Sequence, residues 1–193
     1  MGNEIERIES ILEDACKEME KSANVFWPCK SESEDIHESN LCLYIGHSFL
    51  KAGYFVYTEV HPPEERIKID LLAGKENVRI YLEAKNLSRP GTVREIIADL
   101  NRLNSNYFPE DKNLQRYGII AISSWLRKHH EWWENMNEDF KIPKGDSSPD
   151  YEELAKLVLK KVKNGAIKGK KKITDQTKDG SEWYLLYLIF PLQ

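Results

Sequence analysis

Apolar residues fall on one helical face through residues 3–22, at Ile5, Ile8, Leu12, Ala15, Cys16 and Met19, spaced three and four apart as an amphipathic helix requires. Phe26, Trp27 and Pro28 break that pattern and open a short connection. A second helix is expected from about Ser33, carrying Ile36, Leu41, Ile45, Phe49 and Ala52, with Gly53 just past its end. The period then drops to two. Residues 54–60, 66–73 and 78–86 read as three successive strands, joined through Pro62-Pro63 and through 74–77.

Pro90-Gly91 stops the third strand, and Thr92 is the expected N-cap of a helix reaching Asn104 on a face of Val93, Ile96, Ile97, Leu100 and Leu103. The unbroken apolar run 117–122 predicts a buried strand flanked by helices. A tryptophan-rich helix near 124–138 and a Pro/Gly/Ser loop at 142–149 come next. A helix at about 149–163 follows, then strands at 170–174 and 183–190 about the turn Lys178-Asp179-Gly180. The order α-α-β-β-β-α-β-α-α-β-β is a mixed α/β pattern with a three-strand meander at its centre. No internal repeat or low-complexity tract interrupts it.

Composition narrows the class. The 193 residues, 40% hydrophobic and 31% charged, suit a single soluble globular domain with a real core. We expect one domain over 1–193: a helical extension at 1–30, a core at 31–122, and helices with two strands at 123–193. No apolar run approaches the roughly 20 residues that span a bilayer. The N-terminus carries neither a secretory apolar stretch nor the myristoylation pattern, because Glu6 stands where Ser or Thr is required. Cys16, Cys29 and Cys42 are odd in number and lack C-x-x-C spacing, which points to a reducing cytoplasm and to neither disulfides nor a thiolate zinc site.

The net charge of −4 makes no global case for nucleic acid, yet residues 156–172 hold eight lysines and no acid. Such a stretch serves either as a phosphate-binding surface or as a helix end followed by a lysine-guarded edge strand.

The second and third strands carry the chemistry. Alternation puts Lys68, Asp70 and Leu72 on one face of the second strand, and Arg79, Tyr81, Glu83 and Lys85 on the face of the third that points away from the core. A hairpin about 74–77 brings Asp70 beside Glu83 and Lys85. Two carboxylates with a backbone carbonyl and water suit Mg²⁺, which takes few protein ligands. A lysine beside the ion can orient a water or steady charge on a phosphate. A D/E-x-K triplet alone is weak evidence: this chain has three, Glu83-Ala84-Lys85, Glu110-Asp111-Lys112 and Asp139-Phe140-Lys141. Only the first lies in an alternating strand that follows another strand bearing an aspartate.

Ile69-Asp70-Leu71 and Tyr81-Leu82-Glu83-Ala84-Lys85, with helix, meander, helix and strand around them, resemble the core of the PD-(D/E)XK nuclease superfamily over residues 33–122. Ile69 stands where the naming proline would be. The resemblance implies a restriction-endonuclease-like fold, a mixed sheet with helices on both faces. It implies metal ligation by Asp70, Glu83 and the Ala84 carbonyl, with Lys85 serving the attacking water. It also implies a glutamate from the preceding helix, for which Glu38 is the candidate and Glu34 the competitor. The cofactor would be Mg²⁺, with Mn²⁺ as substitute.

On the helix after the motif, Arg94, Asp99 and Arg102 lie on the polar side. Arg94 is a candidate phosphate contact there, although solvated charges are the simpler expectation for all three. Trp125, Leu126, His129, Trp132, Trp133 and Met136 form a broad stripe, better suited to core or dimer packing than to base stacking. His129 and His130 point apart and make a poor metal pair. No P-loop, G-x-S-x-G elbow or H-E-x-x-H motif is present.

The function expected is therefore metal-dependent hydrolysis of phosphodiester bonds in nucleic acid, DNA before RNA, in restriction, repair or defence. Cutting both strands would call for a homodimer or two successive events. The alternative is a catalytically silent module of the same fold that binds nucleic acid or protein in a larger assembly.

Overall fold

The computed structural model describes residues 2–25, 36–61, 68–104, 113–137, 142–143, 145–174 and 182–192. The elements follow the expected order. Helices α1 (Gly2–Val25) and α2 (Glu38–Lys51) precede strands β1 (Phe55–Val60), β2 (Ile69–Lys75) and β3 (Val78–Asn86). Helix α3 (Gly91–Asn104), strand β4 (Gln115–Ser124), helices α4 (Arg127–Glu134) and α5 (Asp150–Lys163), and strands β5 (Ile167–Thr174) and β6 (Trp183–Pro191) complete the chain.

The six strands form one sheet in the order β1-β2-β3-β4-β6-β5, in which β3 and β4 are parallel and the other neighbours antiparallel. Both faces are covered. Ile8, Leu12 and Ala15 of α1 and Leu41, Ile45 and Phe49 of α2 pack with Leu71, Ile80, Leu82, Ile119 and Leu185 on one face. On the other, Val93, Ile96 and Leu100 of α3, Trp132 and Trp133 of α4, and Leu154 and Val158 of α5 pack with Tyr81, Ile120, Leu186 and Leu188. The molecule is thus a mixed α/β sandwich of helix, sheet and helix. Among the described residues no helix is long and apolar enough to cross a membrane.

Several expectations are corrected. Helix α2 begins at Glu38, not near Ser33: Ile36 and His37 are not helical. The Ile36 carbonyl instead accepts from Asn86 Nδ2 at 3.2 Å and Ser123 Oγ at 3.3 Å. Helix α3 starts at Gly91, which puts Thr92 inside its first turn and not at the N-cap. The tryptophan helix is short, Arg127–Glu134, and Trp125 precedes it. Gly74 is not a loop residue. It pairs with Phe55 across β1 and β2, and its hydrogen lies against that ring, where no β-carbon fits.

The second half of the lysine-rich stretch forms β5, at the edge of the sheet. On β5, Lys170, Lys171 and Lys172 pair with Glu134, Glu13 and Glu182, and Lys168 donates to the carbonyls of Trp133 and Glu134. Of the tryptophan stripe, expected to pack in the core or between chains, Trp132 and Trp133 are buried in the core. His129 is fully buried, with Nδ1 at 2.9 Å from the Leu87 carbonyl and Nε2 at 3.0 Å from Tyr151 Oη. It ties α4 to the end of β3 and to α5. The connections around Trp27, Pro62 and Asp179, the competitor Glu34, and the triplets at 110–112 and 139–141 lie outside the described residues.

Candidate functional site

The ladder between β2 and β3 runs from Lys75↔Val78 to Leu71↔Leu82 and stops there. The next step would pair Asp70 with Glu83. At that point the strands part, and side chains occupy the gap. Asp70 Oδ2 accepts the Ala84 backbone N–H at 2.9 Å, replacing a ladder bond and fixing the carboxylate between the strands. On β1, Glu59 has a φ of 56°. It stands opposite Asp70 in a register where Thr58↔Leu71 and Val60↔Ile69 are the neighbouring pairs, so the β1 backbone departs from regular strand geometry beside this aspartate.

Lys85 turns back over the same gap. Its Nζ donates to the Ala84 carbonyl at 3.0 Å, forms an ion pair with Asp99 Oδ2 at 3.0 Å, and lies 3.8 Å from Glu38 Oε2. Glu38, in the first turn of α2, accepts the Asn86 N–H through Oε1 at 3.3 Å. The residues singled out from sequence, Glu38, Asp70, Glu83, Ala84 and Lys85, are therefore gathered at one end of the sheet.

Glu83 does not face solvent from an open sheet surface. Its side chain is 1% exposed, beneath α3. Oε1 accepts from Arg102 Nε at 3.0 Å and is ion-paired with Nη2 at 2.8 Å, while Oε2 is buried with no hydrogen-bond partner. Asp99 and Arg102, expected to be solvated, belong to the same cluster. Asp99 is 5% exposed, and its Oδ1 accepts from Arg102 Nη2 at 2.5 Å. The signal was present in the sequence, because Asp99 falls three residues after Ile96 and four before Leu103, on the apolar stripe of its helix. Arg94 is exposed and pairs with Asp150 of α5 at 3.4 Å.

Crowding of acids in a dry site sets the electrostatics. Burial, then the charges of Asp99 and Asp70, raise the Glu83 carboxyl to about 8 against the pull of Arg102. Burial likewise raises Asp99, opposed by Lys85 and Arg102. For Lys85 burial disfavours the charged form, but Asp99, Glu38 and Asp70 outweigh it and the net shift is upward. Cys42, one turn along α2 from Glu38, is pushed to about 12 by burial and then by Asp70, Glu83 and Glu38. It is a neutral thiol and not a soft ligand.

Among the described residues no three His, Cys, Asp or Glu side chains converge closely enough to hold an ion by themselves. Such a trio is not what a hard octahedral cation needs. Mg²⁺ keeps several waters and takes one or two carboxylates. An unpartnered buried oxygen on Glu83, the neighbouring Asp70 and the Ala84 carbonyl at the parted strands make an all-oxygen donor set of that kind. The fit rests chiefly on Glu83 Oε2, a desolvated acceptor that a cation would satisfy. Comparison with family models, with curated proteins and with solved structures finds no match for this chain.

Proposed function

We propose that this chain is a Mg²⁺-dependent nuclease of PD-(D/E)XK type, with a restriction-endonuclease-like fold, that hydrolyses phosphodiester bonds in nucleic acid, DNA foremost. One observation carries the reading. Asp70, Glu83, the Ala84 carbonyl and Lys85 meet at the point where β2 and β3 part, with a buried carboxylate oxygen left unsatisfied.

Asp70, Glu83 Oε2 and the Ala84 carbonyl would hold the ion, with Glu38 on the solvent side. Mg²⁺ supplies charge neutralisation on the scissile phosphate and makes water at the site more acidic. Lys85 is held protonated by Asp99, so it acts as a donor and not as the base. It orients the attacking water and steadies the negative charge gathering on phosphorus-bound oxygens. The carboxylate best placed to receive the water's proton is Glu38, whose side chain is 41% exposed and lies 3.8 Å from Lys85 Nζ. Asp70, pinned by the Ala84 N–H, contributes position more than movement, and its orientation costs nothing at the moment of reaction.

The test is direct. Purified protein with Mg²⁺ or Mn²⁺ is assayed on supercoiled and linear plasmid, single-stranded and branched DNA, and RNA, beside Asp70→Ala protein. Cleavage absent from the variant is expected, and Lys85→Ala should slow it by about 10²–10⁴-fold, the usual span for a positioned proton-handling group. If no substrate is cut by native protein and spared by Asp70→Ala, the enzyme reading is wrong. Nicked circles as first product would mark one strand per event, whereas direct linear product would mark paired chains.

A further inference from the structure

Helix α3 contributes two groups that touch the proposed ligands without belonging to them. Arg102 holds one oxygen of Glu83, donating to Oε1 through Nε with Nη2 ion-paired 2.8 Å away, and Oε2 is left without a hydrogen-bond partner. Asp99 Oδ1 accepts from Arg102, and Oδ2, which has no hydrogen-bond partner, is ion-paired with Lys85 at 3.0 Å. A continuous line of ionisable groups runs Glu83–Arg102–Asp99–Lys85, from a proposed ligand to the proposed water-handling lysine. Three members are nearly dry: Glu83, Asp99 and Lys85 are 1, 5 and 13% exposed. In such surroundings a charge-assisted hydrogen bond to Oε1 anchors that side of the carboxylate.

We infer that Arg102 and Asp99 are positioning residues: Arg102 turns Glu83 so that Oε2 is presented to a divalent cation, and Asp99 anchors both Arg102 and Lys85 in register. The inference rests on the metal-site reading above. Partners that orient ligands in this way are typically worth about 10–100-fold in metal affinity or activity. The same line keeps like charges apart. Two cations and four acids (Glu38, Asp70, Glu83 and Asp99) leave a formal charge of two minus when all are ionised, which one divalent ion neutralises.

Two measurements test it. Calorimetric titration with Mn²⁺ needs no turnover. Arg102→Gln is expected to weaken Mn²⁺ binding by about 10–100-fold. Arg102→Lys, which keeps the charge without the guanidinium, should recover part of that loss. The double variant Asp99→Asn/Arg102→Gln should bind no worse than the weaker single, because Asp99 acts through Arg102. In the second, made at saturating Mn²⁺, Asp99→Asn should lower kcat about 10-fold or more in otherwise native protein but not in Lys85→Ala protein. Native Mn²⁺ affinity in Arg102→Gln, affinity in Arg102→Lys no better than in Gln, or an Asp99→Asn cost that ignores Lys85 would each overturn the inference. Protein that binds Mn²⁺ through Asp70 yet cleaves nothing ends the nuclease reading and leaves the Arg102 assignment standing.

Discussion

With its carboxyl 1% exposed beside Asp70 and Asp99, Glu83 keeps its proton to about pH 8 when no cation is bound, whereas an ordinary glutamate releases it near 4.5. Between those values the folded state holds more proton than the unfolded one, so raising the pH favours unfolding. Cation-free protein is accordingly expected to lose stability as pH climbs from 4.5 towards 8. Glu83→Gln, which cannot ionise, should flatten that dependence. Thermal melts in chelator across this range measure it, and identical slopes in native and variant protein would refute the assignment. Glu83 and Lys85 were legible as a pair from strand alternation alone. That Glu83 lies dry under a helix was not, because alternation put it on the face of the strand that points away from the core.

At the scale of elements, the sheet pairs its strand glycines with aromatics. Gly74 faces Phe55, Gly118 faces Phe190 and Gly169 faces Tyr187, each directly across a strand pair. In every case the ring covers the position a β-carbon would take. This lets large rings lie flat on the sheet and protects the glycine backbone. A β-carbon on Gly118 would sit 2.5 Å from Phe190 Cζ, and Phe190 is fully buried. Gly118→Ala is therefore expected to cost about 1–3 kcal/mol, the usual range for forced overpacking. Urea unfolding reads this, and an unchanged midpoint would show that the ring moves freely. The meander strands were visible in the period-two pattern, yet Gly74 looked like a turn residue because its ring partner lies 19 positions earlier in the chain.

For the whole molecule, the site sits where its two halves meet. Glu38 arrives from α2, packed on one face of the sheet, and Asp99 and Arg102 arrive from α3 on the other. A ligand bridging β2 and β3 at this end would close the gap left by the interrupted ladder. Binding to the folded state alone adds about 2.7 kcal/mol at a concentration 100 times Kd. For a domain of this size that corresponds to roughly 5–10 °C in Tm. Mn²⁺ should produce such a rise in native protein and none in Asp70→Ala. A rise of equal size in both would place the cation elsewhere.

The sequence by itself determined the element order, the meander and the strands that carry Asp70, Glu83 and Lys85, because periodicities of 2 and 3.6 are local properties of the backbone. It also marked the tryptophan stripe for packing, in the core or between chains. The tertiary structure decided the rest. It parted β2 from β3 at Asp70 and started α2 at Glu38, where the Ile36 carbonyl finds strand partners 50 and 87 residues away. It drew Asp99 and Arg102 inward. Each of these depends on contacts between residues far apart in the chain. No window of adjacent residues contains them, and the site is made of them.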